Sequence, residues 1–418
     1  MTHSHDIRSQ RAVARVPRHG FVIVVMTTLV VVAASSVPSP LYGLYQQRWH
    51  ISPVSAALVY ACYAVGVIAA LAGGPTIHRR HPRLLLLAAL AAVGLSAVIF
   101  STVQSLWLLD SARVLQGLGT GLVNASAATA LTTLHPRGDT GRAAAAASAA
   151  TAGGIGLGAA VSGALVQWAT APLVTPYLVL LAAAIAVAVA LVTVPGAPAW
   201  PGPTPSPGAT ERRLSPRARR ALRTASVLAV ASWAVTGFYL ALGVELTARM
   251  LGTDDRAVAS LIIAVVQVPA GLVQVLCRRW DNHVAGVVGC ATLVVGVSAG
   301  IISVALAIAP LFFAAAVLTG SGFGLSFLSG LRIVNEHAGE SERSRAIRAF
   351  FIFAYLSVSA PTVLAGLAEA QWGLDTTFVA FGALVVVGCI GAGGLVLRHR
   401  AQVNTDAQER SGEPTDRR

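Results

Sequence analysis

The chain has 418 residues, of which 55% are hydrophobic and 11% charged, and its mean hydropathy is +0.70. Such a composition excludes a soluble enzyme and is typical of a membrane protein. The net charge is +13, because 30 basic residues, all of them Arg, outnumber 17 acidic residues. They lie in short clusters between apolar runs, which argues against nucleic acid as a partner. The four Cys have no CxxC spacing, so neither a metal site nor a disulfide is predicted.

Twelve apolar runs follow a polar, Arg-containing tail at residues 1–19. Each is long enough for a membrane-spanning helix, which needs roughly 20 residues. The first run is too long for the core of a signal peptide and has no convincing cleavage site, so we expect it to be retained. The predicted spans are 20–40, 54–74, 84–104, 106–130, 143–168, 173–194, 223–248, 256–277, 284–306, 309–332, 346–368 and 375–397.

A segment rich in Pro and Gly divides the spans into two groups of six. It occupies residues 195–208 and is followed by six Arg up to Arg223. Because it cannot bury apolar surface, we interpret 195–222 as a linker between a half at 20–194 and a half at 223–397, with a second tail at 398–418. Arg is concentrated in both tails, in the linker and in alternate loops, so the positive-inside rule predicts cytoplasmic termini and a cytoplasmic linker.

The two halves also repeat each other. Residues 117–122 read Gly-Leu-Gly-Thr-Gly-Leu and residues 320–325 read Gly-Ser-Gly-Phe-Gly-Leu, an offset of 203 residues (117 to 320). The same offset relates Gly158 to Pro361 and Gly163 to Gly366. Matches in one register predict a duplication that gave two six-helix halves of the same orientation.

The fourth predicted span carries polar side chains. Asp110, Arg113 and Gln116 follow one another at intervals of three residues and therefore share one face of a helix. An acid or an Arg inside a membrane helix costs roughly 2.5–3.5 kcal/mol on insertion scales, so this face must look into protein or a water-filled cavity. The segment is either a structural salt bridge with a packing groove or the ion-handling helix of a transporter.

Glycines follow these polar residues. Gly117, Gly119 and Gly121 allow a neighbouring backbone to approach closely. The sequence from Arg113 to Gly121 resembles the fourth-helix motif of the major facilitator superfamily, and the resemblance extends to the topology, the linker and the repeat. It implies an all-α membrane protein with twelve transmembrane helices in two six-helix pseudo-repeats, which expose a central site to each side of the membrane in turn.

The loop after the second span resembles a second motif of the superfamily. Gly74, Arg79 and Arg83 match the family pattern, but His78 stands where the family has an Asp that latches the outward-open state. His78 cannot accept hydrogen bonds in the same way at neutral pH. Either other contacts therefore latch the outward-open state, or the segment is a solvated basic loop whose only role is to set the membrane topology.

The fifth span resembles the signature of the superfamily's proton-coupled antiporters. Gly154, Gly158 and Gly163 match the signature, whereas Ala159 and Ser162 replace a Pro and a Gly. The resemblance implies a helix that packs closely against its neighbours and takes part in antiport. The alternative is a plain packing face of small residues.

Few other polar groups lie inside the spans. The first span has no acid, so Asp110 and Glu245 are the predicted proton carriers, with Arg113 beside Asp110. We interpret Glu369 as an anchor because it lies near the end of its span. The candidates for a substrate cavity, each of which is otherwise an interfacial or packing residue, are Asn124, Gln267, Tyr42, Tyr63, Trp233, Tyr239 and Tyr355.

These features predict a secondary transporter of a bacterial cytoplasmic membrane, most similar to the proton-coupled drug-efflux antiporters. We expect it to expel a small amphipathic or apolar compound against an inward flow of protons. A proton-coupled nutrient importer of the same fold, or a membrane sensor or assembly subunit, is the alternative. No strand precedes the glycines at 117–121 and no Lys is present for a Walker motif, so we expect no enzymatic activity, no cofactor and no ATPase subunit.

Overall fold

The structure, a computed structural model, describes residues 18–49, 52–73, 82–134, 140–193 and 214–411. Within these ranges the chain forms α-helices and a 3₁₀ turn at Ser39–Leu41, and no β-strand. The helices are α1 (Arg18–Ala33), α2 (Tyr42–Trp49), α3 (Pro53–Ala72), α4 (Pro82–Ser101), α5 (Leu106–Leu134), α6 (Thr140–Trp168), α7 (Thr175–Thr193), α8 (Pro216–Ala241), α9 (Gly243–Leu251), α10 (Arg256–Leu276), α11 (Asn282–Ala305), α12 (Ala309–His337), α13 (Glu340–Trp372) and α14 (Leu374–Ser411).

Nine of the described helices are long and apolar enough to cross a membrane, namely α4, α6, α7, α8, α10, α11, α12, α13 and α14. Shorter apolar stretches lie in α1 and α3, at His19–Ala33 and Leu58–Ala72. Helix α5, which lies between α4 and α6, has 29 residues and is not among the nine. The all-α membrane fold that the resemblance implies is confirmed. The count of twelve spans stays a prediction.

Side-chain caps define where several helices begin. The hydroxyl of Ser215 accepts a hydrogen bond from the Ala218 amide at 3.2 Å ahead of α8. Asp255 and Asp281 cap α10 and α11, each with one carboxylate oxygen that accepts from two backbone amides. These amides have no partner within the helix, so the caps stabilise the first turns.

The first and seventh predicted spans are each interrupted towards the same end of the bundle. Helix α1 ends at Ala33, and the chain passes through the 3₁₀ turn into α2. Pro38 and Pro40 lack the amide hydrogens that a continuous helix needs, which explains the break. Helix α8 ends at Ala241, and α9 follows after Leu242. The short helices α2 and α9 therefore occupy equivalent places in the two halves.

Two helices extend beyond the apolar runs. Helix α8 begins at Pro216, inside the segment expected to be linker, and α14 continues to Ser411, beyond residue 397. Apolar periodicity did not reveal these turns because a helix that leaves the membrane has no need of apolar residues. Residues 194–213 lie outside the described ranges. We call the end of the bundle at which α8 and α13 begin the Arg-rich end, after Arg217, Arg219, Arg220, Arg223 and Arg343.

The internal repeat is visible in the packing of equivalent glycines. A Cβ atom on Gly117 of α5 would overlap the carbonyl oxygen of Tyr63 in α3. A Cβ atom on Gly320 of α12 would overlap the carbonyl oxygen of Val266 in α10. Tyr63 and Val266 are themselves separated by the offset of 203 residues (63 to 266). Both halves therefore use glycine for the same close helix contact.

The two halves meet along two helix pairs, α3 with α13 and α6 with α10. In the second pair a Cβ atom on Gly163 would overlap the Ser260 hydroxyl. The pair is closed at the end opposite the Arg-rich end, where the Gln167 side chain accepts a hydrogen bond from the Arg256 amide at 2.9 Å. Each pair takes one helix from each half, so movement of one half against the other must occur along these contacts.

Candidate functional site

Arg113 of α5 is fully buried and is held by neutral groups. Its Nε donates to the Tyr42 hydroxyl at 2.9 Å, and Nη2 donates to the same oxygen. Its Nη1 donates to the Ser35 carbonyl oxygen at 3.0 Å and to the Gln116 side chain at 2.9 Å. The guanidinium is thus fixed between the turn that follows α1, helix α2 and its own helix.

Three tyrosine rings surround the same guanidinium. The Arg113 Cζ lies 4.8 Å from the ring centroid of Tyr60, 5.5 Å from that of Tyr42 and 5.8 Å from that of Tyr63. Contacts of this kind stabilise a cation through the negative face of the ring, by up to about 2 kcal/mol when they are desolvated. The buried charge is therefore stabilised by ring faces and by the Ser35 carbonyl dipole.

Asp110 does not pair with Arg113, although the two lie three residues apart on α5. The Asp110 carboxyl is half-buried beside the Cys62 thiol of α3, and its Oδ1 is buried without a hydrogen-bond partner in the described ranges. Among the ion pairs of the described residues none joins Asp110 to Arg113. Helical spacing allowed this salt bridge, but the guanidinium reaches Tyr42 and Ser35 instead.

Four predicted cavity residues come together in the middle of the bundle, each from a different helix. The Asn124 Nδ2 of α5 donates to the Tyr355 hydroxyl of α13 at 2.8 Å. The Tyr355 ring centroid lies 6.1 Å from that of Tyr63 in α3 and 5.1 Å from that of Trp233 in α8. The Trp233 Nε1 is buried, and no described residue accepts a hydrogen bond from it. We call Asn124, Tyr63, Trp233 and Tyr355 the inter-half cluster.

Two other predicted cavity residues lie elsewhere. Tyr239 of α8 packs within the second half, with its ring centroid 6.3 Å from that of Phe312. Gln267 of α10 is buried against α6, where a Cβ atom on Gly156 would lie 3.6 Å from the Gln267 Cβ. Its Oε1 has no hydrogen-bond partner in the part of the chain that the structure describes. The structure therefore does not bring Tyr239 and Gln267 into the inter-half cluster.

A cavity of about 40 Å³ lies between the halves at the end opposite the Arg-rich end. Tyr42 and Tyr60 line it from the first half, and Glu245, Glu369 and Arg256 from the second. Arg256 Nη1 lies 3.5 Å from Glu245 Oε2, whereas Glu369 Oε2 is buried and has no hydrogen-bond partner within the described part of the chain. Such a cavity has room for about two water molecules. Tyr42 thus contacts both the cavity and the buried guanidinium.

The motif glycines of α5 pack against two helices of the first half. Gly117 and Gly121 face α3, where a Cβ atom on Gly121 would lie 2.6 Å from the Ala70 Cβ. Gly119 faces α4, and its Cβ atom would lie 2.9 Å from the Ala89 carbonyl oxygen. This packing fixes the face of α5 that presents Arg113 and Asn124 to the interior.

The motif glycines of α6 lie between α1 and the second half. A Cβ atom on Gly154 would lie 2.6 Å from the Leu29 carbonyl oxygen, and one on Gly158 would overlap the backbone of α1. Gly163 faces α10, as described above, and Ser162 donates to the Val37 carbonyl oxygen at 2.6 Å. The contacts explain why small residues are needed here. The part of α6 in antiport stays a prediction.

Of the loop motif, only Arg83 lies in the described ranges. Its Nη2 donates to the Val192 carbonyl oxygen at 2.6 Å, which ties the start of α4 to the end of α7. Gly74, His78 and Arg79 lie outside the described residues.

Sequence reasoning missed the position of Glu369. Its place near a span end predicts an anchor, but in the structure Glu369 lines the cavity between the halves. A usable signal was present, because Tyr355 and Glu369 are separated by about four helical turns and so share a face of α13. Sequence reasoning also left out the contact of Tyr60 with Arg113, which needs three helices to be placed at once.

The model of the Major Facilitator Superfamily matches residues 24–360, which is most of the chain. The chain therefore belongs to the major facilitator superfamily, and the resemblance seen in the sequence is confirmed. Membership makes it a multi-pass membrane transporter of small molecules.

The fold agrees with a solved structure. The chain is similar to a bacterial homologue of the human lysosomal transporter Spinster, in an inward-facing and occupied conformation, with a TM-score of 0.68 and 12% sequence identity. The alignment covers 90% of this chain and 95% of that chain. At this identity the likeness establishes the fold alone. A search of curated protein sequences found no match to this chain.

Proposed function

We propose that this protein is a secondary active transporter that expels a small amphipathic or apolar compound from a bacterial cell, driven by protons that flow inward. Transport of small molecules across a membrane follows from the family. The direction, the driving ion and the substrate class are the additional steps. On this proposal the Arg-rich end, both termini and the linker at 195–222 face the cytoplasm, because Arg is concentrated there.

The inter-half cluster supports this function most directly. Tyr63 and Asn124 belong to the first half, and Trp233 and Tyr355 to the second. A compound bound among them contacts both halves, so its binding free energy depends on their arrangement, which alternating access requires. Ring faces favour an apolar or aromatic body, and the cluster holds fewer polar groups than a sugar site needs.

The acids near the opposite end support proton coupling. Asp110 lies near the start of α5, and Glu245 lines the cavity between the halves. We add Glu369 as a third candidate because its buried Oε2 has no hydrogen-bond partner among the described residues. Tyr42 contacts both the cavity and Arg113. A carboxylate in this region attracts the guanidinium of Arg113, and a protonated carboxyl does not. The protonation state of the acid and the position of Tyr42 are therefore coupled.

Proton flux into proteoliposomes tests this function. The purified protein is reconstituted with a pH-sensitive dye inside and challenged with a panel of amphipathic cations, neutral aromatics and sugars. We expect a neutral or amphipathic compound to drive protons in the opposite direction to its own movement. Compound and protons moving in the same direction would favour the importer. Liposomes without protein give the leak, and proton flux equal to that leak with every compound contradicts the proposal.

A further inference from the structure

We propose that a surface groove between α8 and α13 at the Arg-rich end binds an anionic phospholipid of the membrane leaflet on that side. In this assignment the phosphate contacts Arg219 and Arg223, and one acyl chain lies along the groove. The groove has a volume of about 440 Å³. It is separate from the inter-half cluster and from the cavity lined by Glu245, so it does not depend on which compound or ion is transported.

The wall of the groove is apolar apart from its Arg-rich rim. Leu222 and Val230 of α8 and Phe353 of α13 contribute to it, and Val230 and Phe353 are 43% and 45% exposed. Phe353 begins a stripe of exposed apolar side chains on α13 that continues with Leu356, Leu364 and Leu367. In a membrane such a stripe contacts acyl chains, so the groove opens towards lipid.

The length of the groove fits one leaflet. Residues 219 and 230 are separated by about 16 Å along the axis of α8, at 1.5 Å per residue. The hydrocarbon core of a bilayer is roughly 30 Å thick, so this distance is about half of it. A phospholipid with its phosphate at Arg219 therefore has its chain beside Val230 over the depth of its own leaflet.

The charge of the rim selects an anionic headgroup. Arg219 and Arg223 are exposed, lie one turn apart on α8 and both line the groove. In the part of the chain that the structure describes, neither forms an ion pair with an acid. Basic side chains beside a membrane helix attract anionic lipids, and the planar guanidinium group suits two oxygens of one phosphate.

A buried hydroxyl between the rim and the apolar wall points to the same ligand. Ser226 lines the groove and is 8% exposed, and its Oγ has no hydrogen-bond partner among the residues that the structure describes. It lies about 4.5 Å further along the axis than Arg223. Leaving a buried hydroxyl without a partner is unfavourable. The glycerol ester oxygens of a phospholipid lie just below its phosphate and supply the missing acceptor.

Native mass spectrometry of the full chain in a neutral detergent tests the assignment. The protein is titrated with phosphatidylglycerol and with phosphatidylcholine of the same acyl chains. We expect tighter retention of phosphatidylglycerol, and a loss of roughly fivefold in its affinity for each of Arg219→Gln and Arg223→Gln. Arg220→Gln is the matched control, because Arg220 is exposed on the same helix but does not line the groove.

A second variant tests the acyl chain. Val230→Trp fills the groove, so it should weaken retention of both lipids while the rim remains intact. If one of the variants Arg219→Gln and Arg223→Gln does not fold, the other carries the test. Equal retention of the two lipids by the wild-type chain overturns the proposal, as does equal loss in Arg219→Gln and Arg220→Gln. A Val230→Trp protein that transports more slowly but retains phosphatidylglycerol normally would assign the groove to the transported compound instead, and also overturns it.

Discussion

The side-chain amide of Asn124 donates a hydrogen bond of 2.8 Å to the hydroxyl of Tyr355 and so joins the first half of the bundle to the second. Both residues are far from the ends of their helices, α5 and α13. If the halves rock as rigid bodies, this bond must break or re-form in each cycle. A buried neutral hydrogen bond contributes about 0.5–1.5 kcal/mol, so it biases the two arrangements by roughly two- to tenfold.

Tyr355→Phe keeps the ring and removes the hydroxyl. We expect the equilibrium between the two arrangements of the halves to shift by roughly two- to tenfold away from the arrangement in which the bond forms. Only this arrangement loses a contact in the variant. Double electron–electron resonance between spin labels on the two halves measures the distances, and these report the populations of the two arrangements. Tyr239→Phe is the control, since Tyr239 packs within the second half. Equal distance distributions in the two variants would mean that the Asn124 bond has no part in the equilibrium.

Gly121→Ala should destabilise the first half. The added Cβ atom would lie 2.6 Å from the Ala70 Cβ and 2.7 Å from the Val67 carbonyl oxygen, and overpacking of this kind costs about 1–3 kcal/mol. Thermal unfolding of the purified protein measures the change. Gly153→Ala is the matched control, because no atom of the described residues lies within 4 Å of its added Cβ atom. Since Ala is the better helix former by about 0.5–1 kcal/mol, the control should be neutral or more stable. Equal melting temperatures would contradict the tight contact between α3 and α5.

Exchanging Asp110 and Arg113 tests whether the two form a pair. They do not contact each other in the structure, and Arg113 instead bonds Tyr42, Ser35 and Gln116. We therefore expect the double variant, Asp110→Arg with Arg113→Asp, to be no better folded than Arg113→Asp alone. Fluorescence-detected size-exclusion chromatography gives the yield of folded protein. Recovery of most of the wild-type yield by the exchange would instead support a simple salt bridge on one face of α5.

The cap of α11 makes stability depend on pH. The pKa of Asp281 is lowered, chiefly by the hydrogen bond that its carboxylate accepts from the Val284 amide. A carboxyl with a lowered pKa stabilises the fold above its unfolded pKa of about 3.9, and this contribution is lost as the pH falls through the folded pKa. Asn caps a helix as well as Asp does, so Asp281→Asn should have the wild-type melting temperature near pH 7. Below about pH 4, its melting temperature should fall less than that of the wild-type protein.

Asp281→Ala is the comparison for that cap. It removes the acceptor and should cost about 1 kcal/mol at neutral pH. Melting temperatures of the three proteins between pH 7 and pH 3 separate the effect of the cap from that of its charge. A wild-type curve parallel to that of Asp281→Asn would show that another group is responsible for the acid loss.

Much of the architecture could be predicted from the sequence because the membrane limits the possibilities. Apolar runs of span length leave only helices, and the offset of 203 residues between equivalent glycines predicted the shared packing of Gly117 and Gly320. Contacts between distant helices could not be predicted. Arg113 was placed correctly on an interior face, but spacing along one helix cannot show that Tyr42 is nearer to it than Asp110.

The candidate site was predicted in part for the same reason. Composition identified Asn124, Tyr63, Trp233 and Tyr355 as polar or aromatic residues in spans, and the structure brings them together. It does not bring Tyr239 there, because α8 turns that side chain towards Phe312. Periodicity gives the face of a helix but not the helix that covers it.

Amide substitutions identify the acid that carries the proton. Asp110→Asn, Glu245→Gln and Glu369→Gln each keep the shape of the side chain and remove its charge. Glu369 and Glu245 line the cavity between the halves, whereas the Asp110 carboxyl lies beside Cys62. We expect each well-folded variant to bind the transported compound, and the variant of the true carrier to lose accumulation against a gradient while it still exchanges substrate across the membrane. Proteoliposome uptake with and without an imposed pH gradient measures both activities.

Asp375→Asn is the control, because Asp375 is an exposed acid that pairs with Arg249 at the bundle surface. If all three variants still concentrate substrate, the acids near this end of the bundle have no part in coupling, and a different ion must drive transport.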